Sequence, residues 1–89
     1  MKEKILNEIN EFVSLCYTAF KLGAGDFAKE NFPTIVENFW DGEKTDKENL
    51  ETIKQMFETN KKLNEINGSK EAAKVIEVFQ EGWLNKIEV

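Results

Sequence analysis

Residues Thr45–Ser69 read TDKENLETIKQMFETNKKLNEINGS, a helix with both of its ends written into the sequence. Thr45 followed by Glu48 forms a capping box. The threonine hydroxyl accepts from a backbone N–H inside the helix, and the glutamate reaches back to the N–H of the cap. Leu50, Ile53, Met56, Phe57, Leu63 and Ile66 supply the apolar positions. Gly68 is suited to the left-handed residue that stops a helix, and Ser69 to the cap of the next one. The spacing predicts a helix over 46–66. Asn60, Asn64 and Asn67 stand where the heptad begun by Leu50, Ile53 and Phe57 would place apolar groups. Exposure at the edge of a bundle is the expected reason, and a register-setting seam is the alternative.

The chain on both sides reads the same way. Toward the N-terminus, Ile5, Leu6, Ile9, Phe12, Val13, Cys16, Ala19 and Phe20 fall on one face at 3.6-residue spacing. They predict a helix over 2–22, stopped by Gly23. Leu15 and Leu22, seven apart, form a small second stripe on its other side. Gly23-Ala24-Gly25 is a turn, with Asp26 as the expected N-cap of a second helix. Ala28, Phe32, Ile35, Val36, Phe39 and Trp40 share a face there, and Phe27 lies off it. Pro33 interrupts the segment, removing a backbone donor and crowding the preceding turn. A kink or a split into two helices is expected. Beyond Ser69, Ala72, Val75, Ile76, Phe79, Trp83 and Ile87 keep helical phase. Gly82 weakens that helix by about 1 kcal/mol relative to alanine and would let another backbone approach. The tail 84–89 also alternates enough to be a short strand. The expected fold is all-α: one domain over 1–89, a small antiparallel bundle of four helices, the second kinked or split at Pro33.

Composition narrows the function. The 89 residues carry a net charge of −5, no histidine, one cysteine and ten aromatics (seven Phe, two Trp, one Tyr), and every basic residue is lysine. Without arginine there is no rigid fork for phosphate or guanine, and the net charge repels polyanions. Direct nucleic-acid binding and docking on anionic membranes are therefore not expected. The opening Met1-Lys2-Glu3-Lys4-Ile5 lacks the apolar block of a signal peptide, and no apolar run reaches membrane-spanning length. A cytoplasmic protein of a bacterial host is expected, encoded by the bacterium, a phage or a mobile element.

Enzyme chemistry is not expected. Imidazole is missing as base or metal ligand. Cys16 lies at the centre of an apolar face, where a thiol is packing. Ser14 sits on a polar face and Ser69 at a cap. Asp41, Glu43 and Thr45 could open a calcium loop, but Asp46 stands where such a loop needs glycine and Thr52 where it needs a bidentate glutamate. No cofactor or metal is expected. Trp40-Asp41-Gly42 is similar to the central Trp-x-Gly turn of a family of small secreted helical-hairpin proteins. Gly23, Gly25 and Pro33 interrupt the long first helix of that family, and Gly68 breaks the second. The motif is therefore read as a packed tryptophan followed by a turn glycine.

The remaining signal is acidic. The stretch 26–51 holds eight acids and three lysines, as large a net charge as the whole chain. Asp26, Asp46 and Glu48 suit helix N-termini. Glu30, Glu37, Asp41, Glu43 and Glu51 are not explained that way. With Phe27 and Trp40 as apolar anchors, and Glu37, Asp41 and Glu43 as steering charges, they are the expected contact with a basic protein surface. The expected function is a non-catalytic interaction protein that binds and modulates another protein, inhibiting it, for example by occupying a nucleic-acid-binding groove. The alternative is a self-assembling structural or accessory subunit, a homodimer for instance, joined through Leu15, Leu22 and the third helix.

Overall fold

The computed structural model describes residues 1–18 and 25–89. Four helices follow in order: α1 (Lys2–Thr18), α2 (Gly25–Phe39), α3 (Asp46–Ile66) and α4 (Lys70–Gly82). A single 3₁₀ turn, Leu84–Lys86, closes the chain, and no strand occurs among the described residues. The Cα radius of gyration is 12.5 Å, close to the roughly 12 Å of a fully packed chain this long. α1 packs chiefly on α2 and α3 on α4, while α2 touches both α3 and α4.

Each helix contributes one fully buried phenylalanine to a common centre: Phe12, Phe32, Phe57 and Phe79. Phe32 sits in the middle. Its ring lies 4.9 Å from Phe57, edge-on at 81°, 5.1 Å from Phe79 and 5.9 Å from Phe12. Phe79 closes the set, at 5.1 Å from Phe12 and 5.3 Å from Phe57. Such ring pairs add about 0.5–1.5 kcal/mol each beyond the area they bury. Ile5, Ile9, Val36, Ile53 and Ile76 surround the rings, all completely buried. Cys16 is buried too, and burial pushes its thiol pKa up.

The capping box of α3 forms as expected. Glu48 N–H donates to Thr45 Oγ1 at 3.2 Å, and Thr45 N–H donates to Glu48 Oε1 at 3.1 Å. These bonds hold the Glu48 carboxyl below its ordinary range, the backbone bond from Thr45 having the largest effect. At the other end Gly68 takes φ +80°. Gly68 N–H donates to the Glu65 carbonyl at 3.2 Å and Ser69 N–H to the Asn64 carbonyl at 2.8 Å. That pair of bonds is the Schellman arrangement, which satisfies carbonyls the helix leaves open.

Other expectations are corrected. α2 is one continuous helix through Pro33, not two. The carbonyls around the proline receive side-chain donors: Asn31 Nδ2 donates to the Phe27 carbonyl at 2.9 Å, and Thr34 Oγ1 to the Glu30 carbonyl at 3.0 Å. Asp26 lies inside the first turn of α2 and is not its N-cap. Ser69 stands at the N-cap position of α4, but its side chain makes no capping bond. α4 ends at Gly82 and does not continue to Ile87. Trp83, at φ −131° and ψ −60°, turns the chain out of the helix. Its indole meets Phe12 edge-on at 5.0 Å, and both Leu84 and Ile87 become buried behind it. Ile87 thus reaches the core through a 3₁₀ turn. A Cβ built on Gly82 would meet no atom within 4 Å, so no backbone approaches there. The close approach is at Gly25, where a Cβ would stand 3.2 Å from the Tyr17 ring and 3.4 Å from Cys16 Cβ. The expected end of the first helix (Ala19–Leu22), with the Gly23-Ala24 part of the turn, lies outside the described residues.

Candidate functional site

The acidic stretch centres on the corner between α2 and α3. Trp40 N–H still donates to the Val36 carbonyl at 3.0 Å, so helical bonding runs one residue past Phe39. Asp41-Gly42-Glu43-Lys44 then makes a turn closed by Lys44 N–H to the Asp41 carbonyl at 3.1 Å. Asp41 Oδ1 accepts from Glu43 N–H at 2.9 Å, which braces the turn from within.

Asn49 braces it from below. Its side chain is almost fully buried. Its Oδ1 accepts from Asp41 N–H at 2.9 Å, and its Nδ2 donates to the carbonyls of Asp41 at 2.8 Å and Lys44 at 3.4 Å. A buried amide satisfied this fully fixes the loop against α3. The acids of the turn are therefore presented on a corner braced by side-chain hydrogen bonds.

The expected contact residues are not all alike. Glu30, Glu37, Asp41 and Glu43 are exposed. Glu30 and Glu37 lie seven residues apart on one side of α2, about 10 Å along its axis. Glu37 forms an ion pair with Lys2 at 3.0 Å, tying the start of α1 to the end of α2. An exposed pair of this kind contributes at most about 1 kcal/mol. Glu51 is exposed as well, but it lines a groove of about 400 Å³ with Lys47, Leu50, Lys54 and the C-terminal tail. It belongs with two lysines there and not with the corner.

Phe27 is not the exposed anchor that its position predicted. It is half-buried, packs on the core and meets Phe32 edge-on at 6.2 Å and 84°. Trp40 is also half-buried against the core. The exposed aromatic at this corner is Phe39, on the apolar face by its helical phase yet 44% exposed; Tyr17, 50% exposed, lies at the other end of the acidic stretch. As the last residue of α2, Phe39 has no following turn to cover it. It stands in sequence between Glu37 and the Asp41–Glu43 turn. Leu15 is half-buried and outside the core cluster, and Leu22 lies outside the described residues.

Asn49 is the second residue that the pattern reading missed. Its signal was present, because Asn49, Ile53 and Phe57 follow one another at four-residue steps. An amide on that stripe has to be buried and therefore satisfied.

At the other end of the acidic stretch, the Tyr17 hydroxyl donates to the Asp26 carboxylate, joining α1 to α2. This bond, with lesser help from burial, pushes the tyrosine pKa up to about 12 from 10.0. The folded value lies above the unfolded one. The bond's contribution to stability is therefore complete below about pH 10 and is lost as the pH rises toward 12. Tyr17 is the chain's one tyrosine, so an ultraviolet titration reads it directly. The midpoint should lie near 12 in the native protein and return toward 10 in Asp26→Ala. An ordinary midpoint in the native protein would contradict the bond.

Among the described residues no group of three or more Cys, Asp or Glu side chains could hold a metal ion. No helix among them is long and apolar enough to cross a membrane. No protein-family model, no characterised protein and no solved structure matches the chain.

Proposed function

We propose that this chain is a non-catalytic, acidic helical protein that binds another protein and modulates it, by inhibition. The reading takes residues 1–89 as one domain, an antiparallel bundle with α2 bent at Pro33. The observation that carries it is the exposure of Phe39 at the end of α2, next to Glu37 and the Asp41–Glu43 turn. A half-exposed aromatic supplies apolar contact, and the acids around it steer a basic partner and fix its orientation. A surface that has evolved to bind nucleic acid has the matching character, being basic with apolar or aromatic contacts. The chain's net charge of −5 would favour such a partner over nucleic acid itself. A bacterial cytoplasmic setting and an origin in a phage or mobile element are proposed on analogy with acidic inhibitors of this size.

The test compares capture from bacterial lysate by the native protein and by a variant carrying Glu37→Lys, Phe39→Ser, Asp41→Asn and Glu43→Lys. Asparagine at 41 keeps the acceptor that the turn needs. A basic protein should be retained by the native chain and by a Glu71→Lys, Glu81→Lys control, and lost from the corner variant. Equal retention by all three would sink the proposal.

One observation favours a second reading, self-assembly. Leu63 and Ile66, two of the apolar positions of α3, are 52% and 79% exposed.

A further inference from the structure

We propose that the chain binds a small aromatic carboxylate, one ring in size, in a cleft between the start of α1 and the end of α4. The cleft holds about 250 Å³. Lys4 and Glu8 of α1 line it, with Gly82 and Trp83 where α4 ends and Lys86 and Ile87 of the closing turn. It is built from other elements than the α2–α3 corner and stands apart from the docking reading.

Gly82 is the residue that points to a ligand. Glycine weakens a helix relative to alanine, and here the fold does not require it. Its φ lies outside the left-handed region, and a Cβ built on it would meet no atom within 4 Å. A left-handed cap and a close approach of neighbouring backbone, two structural reasons for glycine, are both missing. Close approach of a ligand to the backbone is a third reason, and it fits both observations. A side chain at 82 would extend into that open space and narrow the cleft.

Trp83 supplies an aromatic wall. Its indole is half-buried and meets Phe12 edge-on at 5.0 Å and 65°, so packing fixes the ring in place. A ligand ring gains more on such a wall than its buried area alone provides.

Lys4 and Lys86 supply the charge. Both are exposed, and neither takes part in the ion pairs among the described residues. Glu8 takes part in none of them either. Two ammonium groups against one carboxylate leave the cleft with one positive charge in excess, in a chain that is acidic overall. A monoanion balances that excess. Pockets for drug-sized ligands run from about 300 to 1,000 Å³. A cleft of 250 Å³ suits a single ring with its carboxylate better than a nucleotide.

The test is a titration of the full chain with benzoate, followed in two-dimensional ¹H–¹⁵N spectra. Benzoate should shift the Gly82 amide and Trp83 indole signals saturably, with a dissociation constant on the order of 1 mM. Cyclohexanecarboxylate, which has the charge without the aromatic face, should bind about two- to tenfold more weakly. Lys4→Gln and Lys86→Gln should each weaken benzoate about two- to fivefold. Gly82→Leu should abolish the shift of the Trp83 indole. That variant should melt at or above the native temperature, because leucine favours helix over glycine, so lost binding would not be lost fold. A native chain with no saturable shift would overturn the proposal. So would benzoate affinity that survives Gly82→Leu unchanged, or inorganic phosphate moving the same signals as tightly as benzoate.

Discussion

Phe32→Ala should cost about 3–5 kcal/mol of unfolding free energy. Phe32 is fully buried and meets the rings of Phe12, Phe27, Phe57 and Phe79, so its loss opens a cavity where all four helices converge. A domain of this size has about 5–15 kcal/mol to lose, and each kilocalorie moves the melting temperature by about 4–8 °C. The variant should therefore melt at least about 12 °C lower than the native protein. Phe39→Ala, at a half-exposed ring, should cost less than about 1 kcal/mol. Urea and thermal unfolding followed by circular dichroism would measure both. Similar losses for the two variants would contradict the four-ring core.

Asn49→Asp should be nearly as damaging at neutral pH, about 3 kcal/mol or more. The bond from Asp41 N–H to Oδ1 can persist. The Nδ2 donor to the Asp41 and Lys44 carbonyls becomes a charged oxygen facing two acceptors in a buried site. Such a carboxyl has its folded pKa raised above its unfolded value. The folded state then binds the extra proton more tightly, so the variant should regain stability relative to the native protein as the pH falls. Asn49→Ala should cost about 2 kcal/mol and show no such pH dependence. A small loss in Asn49→Asp that is flat with pH would contradict the clamp.

Much of the fold could be read because its signals are local. The Thr45–Glu48 box, the Gly68 stop and the four phenylalanines in helical phase each specify a short piece of chain, and those pieces agree with one another. Misreadings came where a local rule competes with packing. Ile66 was counted among the apolar positions of α3 by its residue type, although thirteen residues at about 100° each place it roughly 140° round from Ile53. Phe39 has the right phase, but sequence does not show that the helix stops on it. Trp83 leaves the helix to reach Phe12, a choice between a backbone bond and a buried ring that periodicity does not weigh. Pro33 was expected to bend or divide α2; it does not divide the helix, and the side chains of Asn31 and Thr34 bond back to carbonyls on either side of it.

The candidate site was legible in charge and not in anchors. Glu37, Asp41 and Glu43 are exposed where composition placed them, whereas the aromatics nominated beside them, Phe27 and Trp40, lean on the core. The loop's bracing depends on Asn49, which reaches from α3 to residues five and eight positions back. Sequence spacing places such a residue on a face without naming what it holds.

The most direct test of the proposed docking corner is kinetic. Association with the captured partner would be followed against ionic strength for the native protein and for Glu37→Lys, Glu43→Lys. The account predicts fast native association that slows steeply with salt, and slower, nearly salt-independent association for the variant, which should melt no more than about 8 °C below the native protein through loss of the Lys2–Glu37 pair. Equal rates and equal salt dependence would contradict it.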